Sequence, residues 1–392
     1  MMLIGPIAKI TKWETATLSL MFLAPTVFFS CLLATYRGYL QGIEEMKTLA
    51  ISQVIEQLVN VVLSLIFAFV LVGISIEWGS AGGTVGTTIG AIVALIFILI
   101  IYDRNRLEER AEEENKAEKH ISDKMILKKL VKYGVPIIMV AALQNSSGMI
   151  DTINVKGRLL AAGFNDNRAT ELYGILGCYN TLLYVPLSIV TALSSAIFPR
   201  IINAFTTKKK KELKSHIAYS FRLTYLITIP AAVGLSMLSK EVYIMIYGST
   251  EGYQLLMYGS VVLIFMSLSA IQNTILQGIN KLYLVLSTAF LSIIIKFVIN
   301  YFLVGIKDIN ILGAVFASFF AFLVPVIINH NRLRRIFKMR IPIVKMALVP
   351  LLASCVMALS ISLCKIPINR FMNIVQGGRA ITSIVALMLI AI

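Results

Sequence analysis

Charge is what this sequence has least of for its length. Only 14% of its 392 residues are Asp, Glu, Lys or Arg, against about 25% in soluble globular domains. With 58% hydrophobic residues and a mean hydropathy of +0.83, that shortage excludes a water-soluble fold. Cysteine is scarce as well. Cys31, Cys178, Cys355 and Cys364 all fall inside apolar runs without CxxC spacing, so neither a disulfide framework nor a zinc site is indicated, and use as small buried hydrophobes is expected. The three histidines, His120, His216 and His330, lie far apart in or beside charged loops and form no metal-spaced cluster. The start, Met1-Met2-Leu3-Ile4-Gly5-Pro6, lacks the basic region and apolar core of a secretory signal.

Long apolar runs are what the chain has instead. A helix rises about 1.5 Å per residue and the hydrocarbon core is about 30 Å thick, so a span takes about 20 residues. Such runs lie at 15–37, 48–73, 81–103, 129–154, 171–200, 216–239, 254–278, 282–305, 310–331 and 342–364. An eleventh begins near 378 and is cut short at Ile392. The fold class is therefore an all-α integral membrane protein with about eleven hydrophobic spans. The net charge of +16 reads as a topology signal rather than a nucleic-acid surface, because the basic residues sit in loops between the runs. With the first span running outside to inside, 25 of the 36 Lys and Arg fall on the inner side and ten on the outer. The remaining one, Lys296, is inside a span. Residues 104–128 carry mixed charge with Glu and basic residues near i,i+4 spacing, as expected of a solvated cytoplasmic helix joining two lobes. The run Lys208-Lys209-Lys210-Lys211 is expected at headgroup level beside anionic lipid.

The chain repeats itself. Leu40-Gln41-Gly42 recurs as Leu276-Gln277-Gly278, each closing an apolar run, and Leu-Val-Gly-Ile recurs at 71–74 and 303–306. Between these marks, the first copy holds Glu56 and Asn60 and the second Lys296 and Asn300, both pairs four residues apart. The helix ending in Leu276-Gln277-Gly278 is the fourth after the charged linker, whereas the one ending in Leu40-Gln41-Gly42 is the first of the chain. This count implies two pseudo-symmetric lobes with the first three helices of the plan missing and the last one incomplete. The expected parts are a partial N-terminal lobe at 1–103, the linker at 104–128, a six-span lobe at 129–335, and two extra helices at 336–392, the last truncated.

An ionised side chain at the bilayer centre costs at least ~2.5–3.5 kcal/mol, so each one inside a span needs a reason. Lys296 is nearly mid-span with Asn300 one turn along on the same face. It reads as a cavity cation for a diphosphate, as a fixed charge that pairs with an acidic residue in one state and releases it in the other, or as a static lock to Glu56 or Asp151 that holds the lobes together. Glu56 and Asn60 face the cavity or reach headgroup level. Asp151, with Asn145, Ser146 and Ser147 one to two turns before it, reads as a proton or sodium site or as a helix-end partner for Arg158. Arg37 and Arg222 stand near the inner face, where snorkelling explains them. Pro186 and Pro230 are the expected bends that open and close a cavity. Gly82-Gly83, Gly86 and Gly90 form a small-residue face suited to helix packing.

Three stretches carry a family resemblance. They are Arg37-Gly38-Tyr39-Leu40-Gln41-Gly42 with Ile51-Ser52-Gln53-Val54-Ile55-Glu56-Gln57; Met149-Ile150-Asp151-Thr152 with Arg158-Leu159-Leu160 and Ala162-Gly163-Phe164; and Tyr184-Val185-Pro186 through Ala192-Leu193-Ser194-Ser195 to Pro199. They resemble the MOP flippase superfamily, and within it the stage V sporulation protein B group, related to the MurJ lipid II flippases. The resemblance implies a MOP/MATE-like fold in a bacterial cytoplasmic membrane. It also implies alternating-access transport of an undecaprenyl-diphosphate-linked saccharide, without covalent chemistry. The partners implied are the lipid-linked saccharide and membrane lipids, with no nucleic acid; no cofactor is implied, coupling to Na+ or H+ stays open, and the sequence sets no oligomeric state. The candidate binding residues are Lys296, Asn300, Glu56, Asn60, Arg37, Gln41, Asp151 and Arg158. Rival readings are a cation-coupled multidrug exporter, for which neutralising Lys296 helps, an inactive fragment, and a membrane glycosyltransferase or polymerase, which the short outer loops disfavour.

Overall fold

The computed structural model describes residues 17–42, 45–113, 122–338 and 343–374. The run from 378, the start at Met1–Pro6 and the middle of the charged linker lie outside the described residues, as do the side chains of Ser147 and Cys364. All described elements are helices. They are α1 (Thr17–Gly42), α2 (Met46–Val72), α3 (Ile76–Glu113), α4 (Asp123–Ile150), a π-helical turn (Asp151–Val155), α5 (Lys156–Ala161), α6 (Asp166–Thr206), α7 (Lys210–Met237), α8 (Ser239–Tyr247), α9 (Tyr253–Gly259), α10 (Val262–Gly278), α11 (Leu282–Leu303), α12 (Leu312–Phe337) and α13 (Ile343–Ile374). Eight are long and apolar enough to cross a membrane, and the bent pair α9 and α10 makes a ninth if counted as one span. The chain divides into two compact units, Met1–Ser122 and Asp123–Ile392. The division falls inside the range expected as a linker, and α3 itself runs on to Glu113.

In the first unit α3 packs on both α1 and α2. Lipid tails are as apolar as leucine, so close backbone approach rather than water exclusion holds such helices together. Gly82, Gly86 and Gly90 recur every fourth residue and lie on the α2 backbone. A Cβ on Gly82 would stand 2.6 Å from the Phe67 carbonyl oxygen, one on Gly86 2.8 Å from that of Asn60, and one on Gly90 2.8 Å from that of Glu56. Gly83 points into open space, but its carbonyl accepts a 2.6 Å hydrogen bond from Ser64 Oγ. The outer face of α2 stays apolar, with Val54, Leu58, Val61, Leu65 and Phe69 exposed along one stripe, which suits lipid contact. The same logic corrects the cysteine expectation. Cys31 and Cys355 are exposed and Cys178 is half-buried, because in a membrane a helix surface accepts a small apolar side chain as readily as a core does.

The second unit repeats the first unit's packing. Its α12 packs on both α10 and α11, which touch each other little, as α1 and α2 do. The turns match in detail. The amide of Glu45 donates to the Leu40 carbonyl at 2.9 Å and that of Lys281 to the Leu276 carbonyl at 2.8 Å. After the Leu-Val-Gly-Ile marks, Ile74 donates to Leu71 at 3.0 Å and Ile306 to Leu303 at 3.2 Å. One apolar core gathers around Phe221, Leu276 and Leu333, a second around Tyr179, Leu256 and Leu263. Both α6 and α7 run unbroken through Pro186 and Pro230. The break comes instead between α9 and α10, bent by 56°, where the Tyr179 ring fills the space beside Gly259 and its hydroxyl donates to the Gly259 carbonyl at 3.0 Å.

Candidate functional site

Unit two holds a buried charge cluster. Asp151 opens the π-helical turn after α4, and α11 brings Lys296 and Asn300 to it from one face. The Lys296 Nζ lies 2.6 Å from Asp151 Oδ2, and Asn300 Nδ2 donates to Asp151 Oδ1 at 3.0 Å. Asn154, one turn after Asp151, donates to the Phe297 carbonyl at 3.0 Å and ties the π turn to the same helix. Exposure is 6% for Asp151, 7% for Asn154, 5% for Lys296 and 0% for Asn300. Among the described residues, Asn300 Oδ1 is buried without a hydrogen-bond partner.

The lock between lobes is thus corrected: Lys296 pairs with Asp151 inside one unit, and Glu56 pairs elsewhere. Asp151 is also not the partner of Arg158. The Arg158 guanidinium lies 4.1 Å over the ring of Tyr301, one residue past Asn300 on α11, a cation–π contact. A Cβ on Gly305 would stand 3.2 Å from Arg158 Cζ, so the absent side chain there leaves the guanidinium its room. Separate pairs form at the starts of α5 and α6, Lys156 with Asp166 at 3.1 Å and Arg168 with Glu171 at 2.7 Å and with Glu251, in the turn before α9, at 2.5 Å.

In the first unit Arg37 and Glu56 meet at 2.7 Å, with the Arg37 Nε donating to Ser52 Oγ at 3.0 Å. Asn60 turns to α3 instead, its Oδ1 accepting from Ser64 at 2.9 Å and Thr87 at 3.2 Å. Gln41 is exposed at the end of α1, and Arg222 is exposed on α7.

Unit two also contains a cavity of about 650 Å³ between α4, α6, α10, α11 and α12. Its polar lining is Asn145, Thr191, Ser269, Asn273, Thr274, Gln277, Thr288 and Ser292, with the rings of Tyr184 and Phe322 beside them and no charged residue among those described. Asn273 Oδ1 accepts from Asn329 at 3.1 Å. Gln277, the repeat counterpart of Gln41, faces this cavity. Sequence reasoning passed over most of these residues. The signal was present in the polar run Ser267, Ser269, Gln272, Asn273, Thr274 and Gln277 inside one span, diluted by the leucines and isoleucines around it.

An ammonium thus holds one oxygen of Asp151 and an amide the other. No group of three or more acidic, histidine or cysteine side chains suited to a metal occurs among the described residues.

These helices define a multi-pass membrane protein with the fold of the MurJ flippases and the MATE transporters. A solved lipid II flippase MurJ in an inward closed conformation is similar over 96% of this chain and 73% of its own, with a TM-score of 0.63 at 15% identity. An outward-facing multidrug resistance MATE family transporter of the MOP superfamily is similar over 86% and 74%, with a TM-score of 0.65 at 15% identity. The profile of the polysaccharide biosynthesis protein family matches residues 2–205, and the chain belongs to that family. Two Bacillus subtilis proteins are similar in sequence. The lipid II flippase MurJ is 26% identical over 281 residues, 70% of this chain and 51% of the relative. Stage V sporulation protein B is 23% identical over 304 residues, 76% and 57%. The chain spans about half the length of these curated relatives.

Proposed function

We propose that the chain acts as a membrane flippase that moves a polyprenyl-diphosphate-linked saccharide from the inner to the outer leaflet by alternating access. The observation that carries this reading is the cavity of hydroxyl and amide side chains inside a unit whose outer surface is apolar. A saccharide head needs neutral hydrogen-bonding groups in place of water, and its polyprenyl tail needs lipid contact. Similarity to a lipid II flippase and membership of the polysaccharide biosynthesis family support the same substrate class. The drug-exporter reading draws on the MATE-like fold. Amphipathic cations call for an acidic cavity, however, and among the described residues neither Asp nor Glu lines this one.

The test is leaflet exposure of a lipid-linked wall precursor in cells depleted of their own flippase. Three forms are compared: this chain, the chain preceded by three helices from a relative, and Lys296→Ala in the longer form. Rescue by either of the first two supports a flippase. Correct insertion of both with no rescue, together with resistance to cationic drugs, moves the assignment to drug export.

A further inference from the structure

The carboxylate of Asp151 sits where the sequence alone admits a sodium or proton site, and the structure puts a lysine ammonium there. We propose that Lys296 is a tethered cation that takes the place of a coupling ion at Asp151, so that this chain has no sodium requirement at the site. The inference stands on side-chain geometry and holds whichever substrate the chain carries.

An ammonium and a sodium ion present the same unit charge to a carboxylate. They differ in that a sodium ion arrives from solution and leaves again, whereas Nζ stays on the α11 backbone. A buried carboxylate satisfied by a covalently held cation is neutralised without drawing on an ion gradient. Three details make this a built site. The π-helical turn opens with Asp151 and is fastened to α11 through the Asn154 bond to the Phe297 carbonyl. Asn300, one helical turn from Lys296, holds the second carboxylate oxygen. The Asn300 Oδ1 is itself buried and unpartnered among the described residues, so the enclosed cluster keeps one polar atom whose need for a partner the fold leaves unmet. Removing the lysine head therefore leaves a buried carboxylate with one oxygen held by the Asn300 amide and the other beside the vacated volume, where a small cation from solution meets the same charge that Nζ met.

The experiment measures the thermal unfolding midpoint of the purified full chain in sodium chloride and in choline chloride at equal ionic strength. The wild-type midpoint is expected to be the same in both salts. Lys296→Ala is expected to melt lower in choline and to recover with sodium along a saturating curve, since a ligand bound only to the folded state stabilises by RT ln(1 + [L]/Kd). The recovery is expected to vanish in Lys296→Ala/Asp151→Asn. Lys296→Ser, whose short polar side chain leaves the volume of the lysine head open, is the second variant. Recovery of either single variant only from sodium-containing buffer supports the proposal. A saturable sodium shift in the wild type overturns it. So does failure of both single variants in either salt while the neutral double variant folds, because a carboxylate that no sodium concentration compensates is not a cation site.

Discussion

At the residue scale, the chain treats its intramembrane charges unequally. Asp151 and Lys296 are almost fully enclosed, and truncating one member of such a pair strands the other. Asp151→Asn is expected to cost about 3–5 kcal/mol, the range for breaking a buried ion pair from one side. Asp151→Asn/Lys296→Met is expected to recover most of that loss, because a neutral, volume-matched pair carries no desolvation penalty. Chemical denaturation in detergent with a double-mutant cycle reads both, and additive losses would show that the two side chains do not depend on one another. Glu56→Gln should cost less than Asp151→Asn, since Arg37 and Glu56 retain side-chain exposures of 17% and 18% and water shares the charge. Tyr301→Leu removes the ring under Arg158 and is expected to cost about 0.5–2 kcal/mol, the span measured for cation–π contacts from exposed to desolvated settings. A loss of the same size in Arg158→Ala/Tyr301→Leu as in either single change marks the contact as the source.

At the element scale, two neighbouring glycines of α3 differ in what they tolerate. The α2 and α3 backbones approach so closely at Gly86 that any side chain meets the α2 main chain, which cannot rotate away. Gly86→Leu is expected to separate α3 from α2 and to prevent recovery of folded protein, while Gly83→Leu, with open space at that position, is expected to leave unfolding unchanged. Comparing the yields of folded protein isolates close packing from helix propensity, which both substitutions improve equally. The sequence announced this ladder through its four-residue spacing alone. It did not announce the break between α9 and α10. Run 254–278 is continuously apolar enough to read as one span, and prolines elsewhere drew the expected bends to Pro186 and Pro230. The break falls at Gly259-Ser260, a Gly/Ser pair of the kind at which helices kink, and the Tyr179 ring of α6 is seated against Gly259 there, a contact that the sequence of 253–278 does not record.

At the scale of the whole molecule, duplication made most of the fold legible. The repeated marks at residues 40–42 and 276–278, and at 71–74 and 303–306, fixed which helices correspond before any coordinates, and the turn hydrogen bonds agree copy by copy. The site was legible only in part. Lys296, Asn300 and Asp151 stood out because charge in an apolar run is costly wherever it occurs. Their pairing was readable only as one of two options, Glu56 or Asp151, since 145 residues separate Lys296 from Asp151. The cavity was least readable of all, because uncharged hydroxyls and amides cost little in a span and leave no gap in hydropathy. The duplication nevertheless supplies a control for its role. Gln277 lines the cavity, Gln41 occupies the same place in the first copy and is exposed, and neither change to leucine removes a hydrogen bond among those described. If the cavity receives the saccharide head, Gln277→Leu should slow precursor flipping by roughly threefold to tenfold, the equivalent of one neutral hydrogen bond of about 0.5–1.5 kcal/mol. Gln41→Leu should leave the rate unchanged, and both variants should melt with the wild type. Equal rates in the two variants would mean that the cavity does not read the substrate, and would return the search for the saccharide site to surfaces outside the second unit's interior.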